Sequence, residues 1–110
     1  MEETMQEGLC LRIYLSESDR IDGKPAVEAI LELCQACGLK AVSVLRGIEG
    51  LGEHGIHSTS FLSLSSSLPL LVEAIDSKAL IEAAVEQLRP HLIGKFVAIW
   101  PVSLLRDHQR

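Results

Sequence analysis

Residues 46–59, RGIEGLGEHGIHST, form the segment around which the rest of the chain is arranged. They hold four of the eight glycines and two of the four histidines, His54 and His57. Glycine loses more conformational freedom on folding than other residues. Several glycines in one segment therefore usually mean that the backbone adopts positive φ angles there or lies close to a ligand. The segment lies between two extended runs, which predicts that it connects two strands and carries the binding site.

Four strands are predicted on the two sides of this segment. Residues 9–15, 40–46, 70–75 and 94–102 are short apolar runs rich in strand-forming residues, and the first of them alternates cleanly. Residues 16–24 are polar and are predicted to be a loop, while residues 60–65 are extended in character. Three serines at 65–67 break that run before Pro69.

Two amphipathic helices are predicted between these strands. The first starts at Pro25, has an apolar stripe from Val27 to Cys37 and stops at Gly38. The second has a stripe from Leu80 to Leu88, follows a capping Asp76 or Ser77 and ends at Pro90.

This order of elements predicts an α+β fold, a ferredoxin-like (βαββαβ) sandwich whose antiparallel sheet carries both helices on one face. We expect a single domain over residues 8–104, a disordered tail at residues 1–7 and a polar C-terminal tail at residues 105–110. The strands are apolar on both faces, since Phe96, Ala98 and Trp100 alternate with Val97 and Ile99. Because the helices cover only one face, the pattern predicts an oligomer that covers the other.

Composition narrows the classes of function. The chain has 110 residues, 15 acidic against 10 basic side chains and no basic stripe, which argues against nucleic-acid binding. No run approaches the roughly 20 apolar residues of a membrane helix, and residues 1–7 do not resemble a signal peptide. Three cysteines do not suggest a disulfide framework. We expect a cytoplasmic protein.

Three segments together resemble a PII-like family known as domain of unknown function 190. They are ESDRIDGKPAVEAIL (17–31), VSVLRGIEGLGEHGIHST (42–59) and LPLLVEAIDS (68–77). The central part is also similar to the loop of the PII nitrogen-signalling proteins, which Gly50-Leu51-Gly52, His57 and Leu68-Pro69 match. Glu53 and His54 stand where those proteins have arginine and glutamine.

The resemblance implies a PII-like regulatory or signalling protein, not an enzyme. It would be a homotrimer that binds an adenine nucleotide between subunits and modulates a partner, such as a membrane transporter or channel. The ligand would be AMP, ADP or ATP, with magnesium assisting ATP. The expected ligand-binding residues are Arg46 and Lys95 for anion neutralisation, Gly47, Gly50 and Gly52 for backbone approach, and His57 for ordering the loop.

Other functions stay open at this stage. His54 and His57 could hold a divalent metal, as in the CutA metal-tolerance proteins of the same fold. Cys34 and Cys37 have the spacing of a thiol-disulfide motif, but they fall on the apolar stripe near a helix C-terminus, so we interpret them as core residues.

The acidic residues of the first loop also have two interpretations. Glu17 and Asp19 could be catalytic carboxylates, or they could pair with Arg20 or Lys24 to hold the loop in place.

Overall fold

The computed structural model describes residues 3–47, 49–52, 55–58 and 69–107. Its elements, in chain order, are β1 (Glu3–Ser16), β2 (Arg20–Ile21), β3 (Lys24–Pro25), α1 (Ala26–Ala36), β4 (Val42–Arg46), β5 (Glu49–Gly52), β6 (Gly55–Ser58), β7 (Pro69–Ser77), α2 (Lys78–Leu88), a 3-10 turn (Arg89–His91) and β8 (Phe96–Asp107).

A four-stranded sheet is the centre of the fold, with the order β4-β7-β1-β8 and every neighbouring pair antiparallel. Alternate residues of β1 and β7, such as Ile13 and Val72, share one core with Ile30 of α1 and Ile81 of α2. Both helices therefore lie on the same face of the sheet. The predicted ferredoxin-like α+β fold is confirmed.

Local signals set the helix ends much as the sequence predicted. Gly38 has φ +86°, a conformation that favours glycine, and stands just beyond the end of α1. Ser77 precedes α2, and its hydroxyl accepts a hydrogen bond from the Leu80 backbone N–H at 3.4 Å. Pro25 is one residue outside its predicted place, because it ends β3 and α1 begins at Ala26.

The strands at the two termini are longer than the sequence predicted. Residues 3–7, expected to be a disordered tail, are the first part of β1 and pair with residues 103–107 of β8, from Glu3↔Asp107 to Glu7↔Ser103. The polar tail expected at 105–110 is therefore strand as far as Asp107, and residues 108–110 lie outside the described ranges. Residues 3–7 show no apolar alternation, so their strand character comes from the pairing with β8.

Part of the loop predicted at residues 16–24 is a small hairpin. Asp22 and Gly23 have φ +50° and +82° and join β2 to β3. Positive φ at both central residues characterises the type I′ turn that an Asp-Gly pair favours. The hairpin leaves residues 17–19 as a short connection directly after β1.

The face of the sheet opposite the helices is called here the open face. It carries Tyr14, Leu45, Phe96 and Trp100, all substantially exposed, and Phe96 is 83% exposed. Arg12 and Glu73 form an ion pair between these apolar side chains, and the Arg12 guanidinium lies 5.5 Å from the centre of the Trp100 ring. The expectation that the strands are apolar on both faces is confirmed.

Candidate functional site

The candidate site lies at the end of the sheet where β1 and β4 finish and where β7 and β8 begin. Cross-strand pairing aligns Arg46 with Leu70 and Ser16 with Pro69, while Phe96 pairs with Tyr14 near the end of β1. Arg46 is the last residue of β4, and Lys95 immediately precedes β8. Residues 17–19 follow β1 at the same end, so the fold brings this loop to both predicted anion-binding side chains.

Each of these two cations is paired with a carboxylate of that loop. Arg46 forms an ion pair with Glu17, and the Lys95 ammonium nitrogen lies 3.4 Å from Asp19 Oδ2. In the first pair the Glu17 side chain is 21% exposed and the Arg46 side chain is 56% exposed, so the carboxylate is the more enclosed partner. In the second pair Asp19 and Lys95 are similarly enclosed, at 28% and 23%. These two ion pairs, within the part of the chain that the structure describes, therefore bring two positive and two negative side chains to the site.

The backbone fixes Asp19 in place. Its Oδ2 accepts a hydrogen bond from the Ser16 N–H at 3.0 Å, and its own N–H donates to the Ser16 carbonyl at 3.1 Å. The Asp19 carbonyl accepts from the Ala26 N–H at 2.8 Å, at the first residue of α1. These bonds join the loop to both β1 and α1, so the carboxylate cannot move freely away from Lys95.

The prediction that Glu17 and Asp19 pair with Arg20 or Lys24 was wrong. Lys24 pairs instead with Glu32 of α1 at 2.8 Å, whereas Glu17 and Asp19 reach cations that are distant in sequence. The signal that could have identified them is the strand order. Once β1 is placed beside β7 and β8, the loop after β1 must lie near the start of β8 and the end of β4.

Gly47 has a structural reason to be glycine. Its N–H donates to the Pro69 carbonyl at 2.8 Å, which links the end of β4 to the start of β7. A Cβ atom at this position would lie 2.6 Å from Pro69 Cγ, too close for any ordinary contact. The close approach that the sequence predicted for Gly47 is thus an approach to this proline. Contact with a ligand remains a prediction.

The glycine-rich segment contains a hairpin, β5 and β6, in which Gly50 pairs with His57 and Gly52 pairs with Gly55. Gly50, Gly52 and His57 therefore lie in paired strands within the segment that was predicted to connect two strands. Their predicted roles toward a ligand stay predictions. Glu53 and His54 lie outside the described residues, as does the extended run predicted at 60–65.

Within the described ranges, no group of three or more histidine, cysteine, aspartate or glutamate side chains is placed to hold a metal ion. The metal interpretation depends on His54 and on the side chain of His57, which both lie beyond what the structure describes. None of the helices in the described ranges combines the length and apolar character needed to cross a membrane.

Cys10 and Cys34 are poorly suited to thiol chemistry. Cys34 lies on the buried face of α1, and burial raises its pKa to about 11, with Cys37 as a smaller cause. Burial also raises the pKa of Cys10, followed by the negative charge of Glu73. A raised pKa lowers the fraction of reactive thiolate. Cys34 is therefore a core residue as predicted, and Cys37 is half-buried beside it.

Curated relatives and solved structures resemble this chain over most of its length. A UPF0166 protein of Aquifex aeolicus is 36% identical over 80 residues, which cover 72% of this chain and 76% of the relative. The UPF0166 protein MJ1524 of Methanocaldococcus jannaschii is 30% identical over 82 residues, covering 74% and 72%.

Among solved structures, one neighbour is CPII of Thiomonas intermedia K12, a nitrogen regulatory PII-like protein bound to ADP, AMP and bicarbonate. It matches with a TM-score of 0.70 and 16% identity over 94% of this chain and 92% of CPII. At this identity the likeness establishes the fold, which is PII-like. The model of one protein family, DUF190 (Uncharacterized ACR, COG1993), matches residues 8–104. The chain therefore belongs to the DUF190 family and has the PII-like fold expected from its sequence.

Proposed function

We propose that this chain is a regulatory protein that binds an adenine nucleotide in the clefts between subunits of a homotrimer and thereby modulates a partner protein, without catalysing a reaction. The observation that carries the proposal is that Arg46 and Lys95 lie at the same end of the sheet, one at each edge strand. Cationic side chains at such a position suit a phosphate group. The shared fold with CPII, which was solved with ADP and AMP, supports the choice of ligand.

The positions of the two cations favour a site between subunits. Arg46 belongs to β4 and Lys95 precedes β8, and these strands are the two edges of the four-stranded sheet. Three inter-strand steps separate the edges, which is about 14 Å at ordinary strand spacing. In a closed ring with head-to-tail contacts, the β4 edge of one copy borders the β8 edge of the next. Arg46 of one subunit and Lys95 of its neighbour would then serve the same ligand.

The open face supports the trimer. Phe96 and Trp100 are both exposed, on either side of Ala98, on a face that also carries Tyr14 and Leu45. A contiguous apolar patch of this kind usually marks an interface between proteins. Three copies in a ring would cover it, and the Arg12–Glu73 pair would keep its charges matched inside the interface.

The proposed signal passes through the β5–β6 hairpin. A phosphate near Arg46 would lie at the base of this hairpin, since only Gly47 and residue 48 separate β4 from β5. We propose that the nucleotide changes the position of the hairpin and so its contact with a partner. A cytoplasmic face of a membrane transporter or channel is the kind of partner that the family resemblance suggests.

A thermal-shift screen with AMP, ADP and ATP, with and without magnesium, tests the proposal. A ligand at a hundred times its dissociation constant adds about 2.7 kcal/mol of apparent stability, which such an assay resolves. We expect AMP or ADP to bind at least as tightly as metal-free ATP, and magnesium to assist ATP selectively.

Two lysine variants make the screen specific to the site. Lys95→Ala should lose the shift, and the matched control Lys40→Ala, at an exposed lysine outside the site, should keep it. The absence of a shift with every adenine nucleotide at millimolar concentration would contradict the proposal.

A further inference from the structure

We propose that Glu17 and Asp19 determine the specificity of this site, as built-in counter-anions that make it prefer a nucleoside monophosphate over a metal-free polyphosphate. The inference rests on the proposed nucleotide function and names the class of ligand. It is carried by the two ion pairs of the site, in which both predicted anion-binding cations already have a carboxylate partner.

The first reason is that Glu17 depends on Arg46 for its counter-charge. Glu17 Oε1 is fully enclosed, accepts no hydrogen bond within the described residues and forms its ion pair with the Arg46 guanidinium. A ligand that draws Arg46 away leaves an enclosed carboxylate oxygen without a partner, which is costly. A ligand that shares Arg46 with Glu17 avoids this cost. The Arg46–Glu17 pair therefore lowers the affinity for ligands that can bind only by breaking it.

The second reason is that Asp19 cannot leave the site. Its carboxylate is bonded to the Ser16 N–H, and its backbone is bonded to Ser16 and Ala26. When Lys95 turns to a ligand phosphate, the negative charge of Asp19 stays within a few ångströms of that phosphate. Repulsion between like charges at such distances is substantial at a protein surface, and it grows with every further phosphate.

The charge count then sets the preference. Among the described residues of the site, these two cations and two carboxylates sum to zero in each chain, so the four side chains together offer a ligand no surplus positive charge. A phosphate monoester carries roughly two negative charges, and each additional phosphate adds more. A divalent cation would offset them, which is the physical reason to expect magnesium to help ATP but not AMP.

Calorimetric titration of Glu17→Gln and of Asp19→Asn with AMP and with ATP in a chelator tests the inference. Both substitutions keep the size and one acceptor oxygen, remove the negative charge, and place an NH2 donor where the second oxygen was. We expect each to raise the affinity for metal-free ATP by about tenfold, equivalent to ~1.4 kcal/mol, and to raise the affinity for AMP less. Glu32→Gln, whose carboxylate pairs with Lys24 away from the site, is the matched control and should change neither affinity.

The outcomes separate this inference from the function on which it rests. If the unaltered protein binds AMP but neither variant shifts the ratio of ATP to AMP affinity, the inference is wrong and the nucleotide site stands. A shift in only one variant assigns the specificity to that carboxylate alone and supports the inference in that part. If neither the unaltered protein nor any variant binds AMP or ATP, both proposals are overturned.

Discussion

Phe96 offers a direct way to test the assembly, because it is the most exposed of the large apolar side chains described on the open face. It is 83% exposed in the single chain, and its neighbours across the open face include Tyr14, with which it pairs. Replacing it with alanine removes little that the isolated chain uses for its own stability. The loss should therefore appear in association between chains.

The size of the effect follows from the exposed area. A phenylalanine buries roughly 200 Å², and covering four fifths of that at about 25 cal/mol per Å² contributes roughly 4 kcal/mol for each chain. Alanine retains part of this, so we expect a loss of about 2–3 kcal/mol per chain, or roughly 6–9 kcal/mol for three. The protein concentration at which a trimer is half dissociated varies as the square root of its dissociation constant. For Phe96→Ala this concentration should therefore rise by about a hundredfold or more.

Sedimentation velocity over a dilution series measures that concentration. Ile93→Ala is the matched control, since Ile93 is also apolar and 84% exposed but lies in the turn before β8 rather than in a strand of the sheet. We expect the control to dissociate like the unaltered protein. Equal dissociation of all three proteins, or an equal shift in the control, would refute the argument from the open face.

Three further predictions follow from the site and the core. Gly47→Ala should destabilise the chain by about 1–3 kcal/mol in urea unfolding, because its Cβ would collide with Pro69, and unchanged stability would contradict that packing. The pKa of Cys34 is raised from 9.0 to about 11, so the folded state holds this proton more tightly and loses stability as pH rises through that window. The stability gap between the unaltered protein and Cys34→Ala should therefore narrow by about 2 kcal/mol near pH 10.5, and a constant gap would exclude this linkage. His54→Ala should leave the AMP-induced melting shift in place, whereas tight zinc or copper binding that disappears in the His54→Ala, His57→Ala double variant would favour the metal-tolerance alternative.

Features set by local sequence were predictable. Gly38 beyond α1 and Ser77 before α2 act through their own backbone and side chain, so their roles follow from residue type and position. The alternation in residues 9–15 likewise predicted β1, although it missed residues 3–7. That extension is held by pairing with β8, and a partner strand cannot be recognised in a segment without alternation.

The candidate site was predictable only in part for a related reason. Arg46 and Lys95 could be proposed as anion-binding residues from the family resemblance, but their partners could not be identified from spacing. Glu17 and Asp19 reach them only because the sheet places β4 and β8 on either side of the central strands. The charge balance of a site is a property of the folded chain.

Native mass spectrometry of the protein with AMP tests the central claim most directly, because it reports assembly and ligand together. The account predicts a complex of three 12.0 kDa chains, about 36 kDa, that gains up to three AMP molecules. Lys95→Ala should keep the trimer mass and lose the added nucleotides. A single chain that binds AMP by itself, or a trimer that gains no nucleotide at millimolar AMP, would contradict the account.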